Sequence, residues 1–253
     1  SSPVQVGDNF FGEIDVADEG IIVTGNRMFI SYSSSSAVKG DGTLWTWGEN
    51  NLGKLGIGDT TNYSSPIQVG SLTDWRSVAI GQTSMCATKT DGTLWGWGNG
   101  DQPATYPKLS GQDINVCSPV QIGSDSDWTG VLSVNMIYSN AVLGLKTDGQ
   151  MYMWGSGTTA LWTQGGFPYS PSEPPYSNAT YCRYPTAIDD KSYVNAGCSK
   201  NNVIAVEKDT GKLWTWGLNN YGQLWQGNTT NTSSPVQAGT ATDWIWVSGD
   251  AGG

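Results

Sequence analysis

Asp91-Gly92-Thr93-Leu94-Trp95-Gly96-Trp97-Gly98 decides the fold, because the chain repeats it. The other copies read Asp41-Gly42-Thr43-Leu44-Trp45-Thr46-Trp47-Gly48, Asp148-Gly149-Gln150-Met151-Tyr152-Met153-Trp154-Gly155 and Thr210-Gly211-Lys212-Leu213-Trp214-Thr215-Trp216-Gly217. Their turn glycines, Gly42, Gly92, Gly149 and Gly211, are separated by 50, 57 and 62 residues. Self-similarity at such a period marks a repeat architecture. A second marker keeps phase with the first: Ser2-Pro3-Val4-Gln5, Ser65-Pro66-Ile67-Gln68, Ser118-Pro119-Val120-Gln121 and Ser234-Pro235-Val236-Gln237, with Tyr184-Pro185 where a further copy is due. Three of these are followed by an Asp-Trp pair, Asp74-Trp75, Asp127-Trp128 and Asp243-Trp244.

Each unit therefore spells a Ser-Pro strand, an Asp-Trp strand, a small-residue strand such as Met85-Cys86-Ala87-Thr88-Lys89, a glycine turn and a tryptophan strand. Asp-Gly between two strand-like runs predicts a type I′ hairpin turn, with both turn residues at positive φ. In the strand that follows, Trp45 and Trp47 share one face while Leu44 and Thr46 share the other. Bulk on both faces requires cover on both sides, which sheets stacked radially on one another supply. No long stretch carries apolar residues at helical spacing. The predicted fold is all-β, a β-propeller of four-stranded antiparallel blades.

Ser-Pro-Val-Gln-Val-Gly, Asp-Trp-x-x-Val, Lys-Thr-Asp-Gly-Thr-Leu-Trp-x-Trp-Gly and Asn50-Asn51-Leu52-Gly53-Lys54-Leu55-Gly56-Ile57-Gly58-Asp59 together resemble the regulator of chromosome condensation repeat, in particular its bacterial and bacteriophage branch. The resemblance implies a bladed propeller, commonly of about seven blades. The chain reads as one propeller domain with repeats over about 1–64, 65–117, 118–182 and 183–232 and a partial fifth over 233–253. It is expected to be part of a longer protein, or of a ring completed by residues beyond it. With 34 glycines and 13 tryptophans against 37% hydrophobic residues, the core must be built from aromatic strands and glycine turns.

A net charge of −10 argues against grip on a nucleic-acid backbone, which needs lysine and arginine to displace counterions. No apolar run is long enough for a membrane-spanning helix, and the start shows no signal-peptide pattern. The absence of histidine removes Ser-His-Asp and Cys-His catalysis and histidine-based metal sites. Phosphate loops, dinucleotide fingerprints and twelve-residue calcium loops are also missing. Carboxylate pairs at Asp125/Asp127 and Asp189/Asp190 would suffice in principle for glycoside hydrolysis, but each reads better as a solvated turn. The expectation is a protein that is not an enzyme and needs no cofactor or metal.

Four cysteines, Cys86, Cys117, Cys182 and Cys198, lack metal-site spacing. Cys117 and Cys182 each stand just before the proline strand of a unit and form the candidate disulfide, against the alternative of buried free thiols. Sequons at Asn62, Asn178, Asn228 and Asn231 lie in polar turns and matter only if a eukaryote secretes the chain.

Departures from the repeat supply the candidate binding residues, since inserted loops collect on one face of a repeat scaffold. The longest runs from Ser156 to Tyr181 and carries Trp162, Phe167, Tyr169 and Tyr176 among stiffening prolines. Either these rings stack on a sugar or a protein, or Trp162 and Phe167 fold back to plug a gap between blades. In the fourth unit Leu224-Trp225-Gln226-Gly227 replaces Leu55-Gly56-Ile57-Gly58, with Tyr221 close by, which makes Trp225 either a contact residue or a filler.

The functional expectation is a non-catalytic interaction or structural module on a virion or an extracellular cell surface. Its partners would be other protein subunits or surface glycans, with no nucleic acid and no membrane insertion. A carbohydrate-binding protein is one alternative. A guanine-nucleotide exchange regulator, which the family resemblance suggests, is the other, although no loop suited to opening a GTPase maps onto the chain.

Overall fold

The computed structural model describes residues 28–30, 33–81, 83–99, 115–136, 139–157, 180–198 and 202–247. Its first sheet is an antiparallel meander of β1 (Met28–Ile30), β2 (Ser34–Val38), β3 (Leu44–Gly48) and β4 (Tyr63–Gln68). A second follows from β5 (Trp75–Ile80), β6 (Ser84–Lys89), β7 (Leu94–Gly98) and β8 (Val116–Ile122). The next two sheets share a strand. After β9 (Trp128–Met136), β10 (Ser139–Lys146) and β11 (Gln150–Gly157), the long β12 (Thr180–Cys198) pairs with β11 through Ser192. From Tyr193 onward it pairs with β13 (Asn202–Glu207), which leads into β14 (Leu213–Gly217) and β15 (Thr232–Gln237). One strand thus closes the third blade and opens the fourth. The architecture is the predicted all-β propeller of four-stranded antiparallel blades.

The second and third blades open on the Asp-Trp strand, and the first, second and fourth close on the Ser-Pro strand. The repeat spelled from Ser-Pro is therefore offset by one strand from the sheets. The extra strand is the link between neighbours, because it closes one blade before the chain crosses to the next.

The hairpin turns differ from the type I′ expectation. Gly42 and Gly92 have φ of 79°, but no aspartate of the turns is at positive φ. Gly42 N donates to the Lys39 carbonyl and Lys39 N donates to that of Thr43, and Lys89, Gly92 and Thr93 repeat the pattern. This is a three-residue connection, a type I turn followed by a left-handed glycine. The aspartate serves through its side chain instead: Asp41 Oδ1 accepts from Thr43 N and Thr43 Oγ1, and Thr43 Oγ1 accepts from Trp45 Nε1.

The turn glycine also ties blade to blade. Its carbonyl accepts from a backbone N–H of the chain that follows: Trp75 N to Gly42, Trp128 N to Gly92, Tyr193 N to Gly149 and Trp244 N to Gly211, at 2.7–3.1 Å. A Cβ on Gly92 would stand 2.1 Å from the Ser126 carbonyl oxygen. The position thus needs glycine for its approach as well as its φ.

The apolar cores lie between consecutive sheets. Leu44, Leu55, Trp75, Val78, Met85 and Trp97 fill the first junction. Cys86, Leu94, Trp128, Val142 and Trp154 fill the second, and Leu143, Met153, Tyr193, Val203 and Trp216 the third. Beyond the fourth sheet a smaller cluster joins Val206, Leu213, Ala238 and Val247, with Trp244 packed on it.

Candidate functional site

Tyr221 and Trp225, which depart from the repeat, sit on the loop after the third strand of the fourth blade, so the construction of that loop sets what they can do. In the first blade Asn50 is the buried hub of this loop. Its Oδ1 accepts from Leu55 N at 2.8 Å, its Nδ2 donates to the Asp59 carbonyl at 2.9 Å, and its backbone N donates to Asn62 Oδ1 at 2.8 Å. The fourth blade repeats the loop bond for bond. Asn219 Oδ1 accepts from Leu224 N, Asn219 Nδ2 donates to the Asn228 carbonyl, and Asn219 N donates to Asn231 Oδ1, at 2.9, 2.9 and 2.7 Å. Thr46 Oγ1 and Thr215 Oγ1 close both loops by donating to the carbonyls of Leu55 and Leu224. Three sequon asparagines, Asn62, Asn228 and Asn231, therefore carry loop framework. Asn50 and Asn219 escaped the sequence reading, though an asparagine followed nine and twelve residues later by Asp59 and Asn62, or by Asn228 and Asn231, was there to be seen.

On this frame Trp225 takes the place of Gly56. Both are left-handed, at φ of 53° and 74°, and both donate their N–H three residues back, to Gly222 and Gly53. Tyr221 stands at the loop tip, 93% exposed, and Trp225 is 57% exposed. The chain after β15 brings Ile245 and Trp246 to the surface as well, 75% and 49% exposed. Trp225 meets Trp244 edge to face with ring centroids 5.9 Å apart, which joins this segment to the loop. Two of the sequence candidates, Tyr221 and Trp225, are thus brought to one end of the fourth blade. Trp162, Phe167, Tyr169 and Tyr176 lie outside the described residues.

The acidic residues are largely engaged in structure. Lys89 Nζ lies 4.2 Å from the Trp95 ring centroid and 3.5 Å from Asp74, while Lys146 stacks on Trp128 and Tyr152 and binds Asp125 and Asp127 at 2.7 and 3.1 Å. Burial opposes the charge of Lys146, but its two carboxylate partners outweigh burial and hold its pKa above the ordinary value. Asp189 accepts from the Tyr193 hydroxyl at 2.7 Å and binds Lys191, which stacks on Trp214. This clasp of lysine, ring and aspartate recurs in successive blades and accounts for both the Lys-Thr-Asp-Gly and the Asp-Trp wording. Asp125, Asp127 and Asp189 are thus engaged by lysines while Asp190 stays exposed, and among the described residues no cluster of three or more metal-binding side chains occurs.

Cys117 is a free, half-buried thiol. Cys117 packs on the preceding blade: a Cβ built on Gly53 would stand 2.4 Å from its Sγ. The Cys182 side chain lies outside the described residues. The thiols of Cys86 and Cys198 are buried.

The fold and its loops define a class, the β-propeller of tandem four-stranded repeats. Residues 41–88 and 210–249 match the family model of the regulator of chromosome condensation (RCC1) repeat. Among curated proteins, the mouse and human E3 ubiquitin-protein ligase HERC2 are 25% identical over 190 residues. That match covers 73% of this chain but only 4% of the ligase. Among solved structures, Prp20p from Saccharomyces cerevisiae superposes with a TM-score of 0.69 at 16% identity, over 86% of this chain and 52% of that one. Human WBSCR16 does so at 0.66 and 18%, over 84% and 52%. The chain spans about half the length of these structures. Likeness at such identity speaks for the fold.

Proposed function

We propose that the chain is a non-catalytic interaction module that serves as a structural or adhesive component of a virion or a cell surface. The observation that carries the reading is the exposure of Tyr221, on the loop after β14, and of Ile245 and Trp246, in the segment after β15 that is joined to that loop by the contact of Trp244 with Trp225. Large rings with few rotatable bonds give contact area at low entropic cost, the pattern of interface anchors. Carboxylates engaged in lysine clasps and the lack of histidine support a role without chemistry. The phage-like wording of the repeats and the net charge of −10 support the setting. Prp20p, similar in fold, binds Gsp1p and histones, and a second structure has it bound by Kap60. A platform for other protein subunits is the use proposed here.

A photocrosslinking residue at position 221, introduced in the natural particle or cell, tests this. A crosslink to one defined protein subunit, lost with Trp246→Ala, is expected. Crosslinks to glycan alone would favour the carbohydrate-binding alternative, which the exposed indole and phenol rings also suit, and would overturn the subunit reading. No crosslink on intact virions or cells would overturn both.

A further inference from the structure

At the first junction the indole of Trp97, from the second blade, enters a seat on the first. Its Nε1 donates to the Lys54 carbonyl at 2.9 Å and its ring meets Trp75 edge to face at 6.0 Å. The seat exists because residue 56 is glycine: a Cβ on Gly56 would stand 2.5 Å from Trp97 Nε1. The fourth blade builds the same loop with the same left-handed residue, but that residue is Trp225. A side chain leaving this backbone points where Trp97 lies in the first junction. The ring of Trp225 accordingly meets Trp244, the counterpart of Trp75, at 5.9 Å, and lies 3.6 Å from a Cβ built on Gly239.

The two junctions also match in their backbone. Trp244 N donates to Gly211 as Trp75 N does to Gly42. Val247 N donates to Asn195 Oδ1 at 2.7 Å, as Val131 N does to Ser77 Oγ at the second junction. We propose that Trp225 is a resident occupant of the tryptophan seat: it fills from within the fourth blade the place that the following blade's Trp97 takes at the first junction, and so pins residues 244–247 against that blade. Trp225 thereby determines which strand can stack here. A strand of the Trp-Gly type is excluded, and one with a small residue at that point is accepted. A bulky residue tolerates the left-handed region poorly, which sets this role apart from a simple loop filler.

Hydrogen exchange of the 253-residue chain distinguishes the two, since it reads local opening amide by amide. If Trp225 pins the segment, Trp225→Gly speeds exchange of the Trp244 and Val247 amides at least tenfold and leaves Val78, in the β5–β6 ladder, unchanged. If Trp225 is only a strained surface residue, glycine relieves the strain, and both amides exchange at the original rate or slower. That result would overturn the proposal. Should the glycine variant lose protection at Val78 too, Trp225→Leu decides: faster exchange at both amides supports the pin, and an unchanged rate rejects it.

Discussion

Trp97 Nε1 donates to the Lys54 carbonyl across the junction between the first and second blades, at 2.9 Å. The indole is fully buried and meets Trp75 edge to face, so one side chain joins a loop, a strand and a neighbouring sheet. Trp97→Ala is expected to cost about 3–5 kcal/mol through the cavity it leaves. Trp97→Phe keeps most of the ring but orphans the carbonyl, for about 1–3 kcal/mol. Urea melts read both, and an unchanged midpoint for Trp97→Ala would contradict the junction described here.

Asn50 and Asn219 hold equivalent loops by equivalent bonds. Truncating either to alanine strands a buried leucine N–H, at Leu55 or Leu224, at about 1–3 kcal/mol. The two substitutions should therefore cost the same to within about 1 kcal/mol, while Asn51→Ala, whose side chain bonds Glu49 at the surface, stays within about 0.5 kcal/mol of the original. Thermal or urea unfolding of the three variants checks this. An Asn50 variant as stable as the original would remove the hub.

The strands were legible because the chain writes them several times, and period-two alternation in Leu-Trp-Thr-Trp leaves few other folds. The blade boundaries were less so. A repeat can be cut at any phase, and only the pairing of β12 with both β11 and β13 shows where one sheet passes to the next. The turn was misread because Asp-Gly has two uses: the pair signals positive φ at both residues, but here aspartate bonds Thr43 with its side chain and only glycine is left-handed. Of the site, Trp225 was visible as a break in Leu-Gly-x-Gly. What it does was not, since the seat of Trp97 is made by residues 41 positions away in the chain and by the absence of a Cβ. Ile245 and Trp246 carry no repeat signal that separates an exposed residue from a packed one.

Cysteine reactivity should follow packing. Burial pushes the Cys86 thiol up to about 12, only partly offset by its contact with Trp154, and burial raises that of Cys198 too. Neither will form thiolate near neutral pH, and thiolate is the reactive species. In a Cys182→Ser variant, a disulfide reagent at pH 8 is expected to label Cys117 in the folded chain and all three cysteines in denaturant. Labelling of Cys86 at the rate of Cys117 would contradict the packing of the second junction.

Acid stability tests a charge that the first blade keeps inside. Lys54 is only 2% exposed and gives its ammonium to Glu49 Oε2 at 2.8 Å and Ser33 Oγ at 3.0 Å, while the Ser33 hydroxyl also bonds the Glu49 carboxylate. The bonds from Lys54 first and Ser33 second hold the Glu49 pKa below its ordinary 4.5. A folded pKa below the unfolded one means that Glu49 contributes stability in full above about 4.5 and loses it as pH falls through the folded value. Removing the partner of a fully buried cation costs about 3–5 kcal/mol, but Glu49 is open to water on one side, so Glu49→Gln is expected to cost about 1–2 kcal/mol at pH 7. Asp41 and Asp91 are also held low, by the Thr43 and Thr93 bonds, and Glu49→Gln and the original chain share that acid loss. The informative quantity is therefore the difference between Glu49→Gln and the original chain, measured by urea unfolding at pH 7 and near pH 3. It should shrink towards zero at the acid end, and a gap that stays constant across that range would show that the Lys54 to Glu49 contact adds no charge-dependent stability.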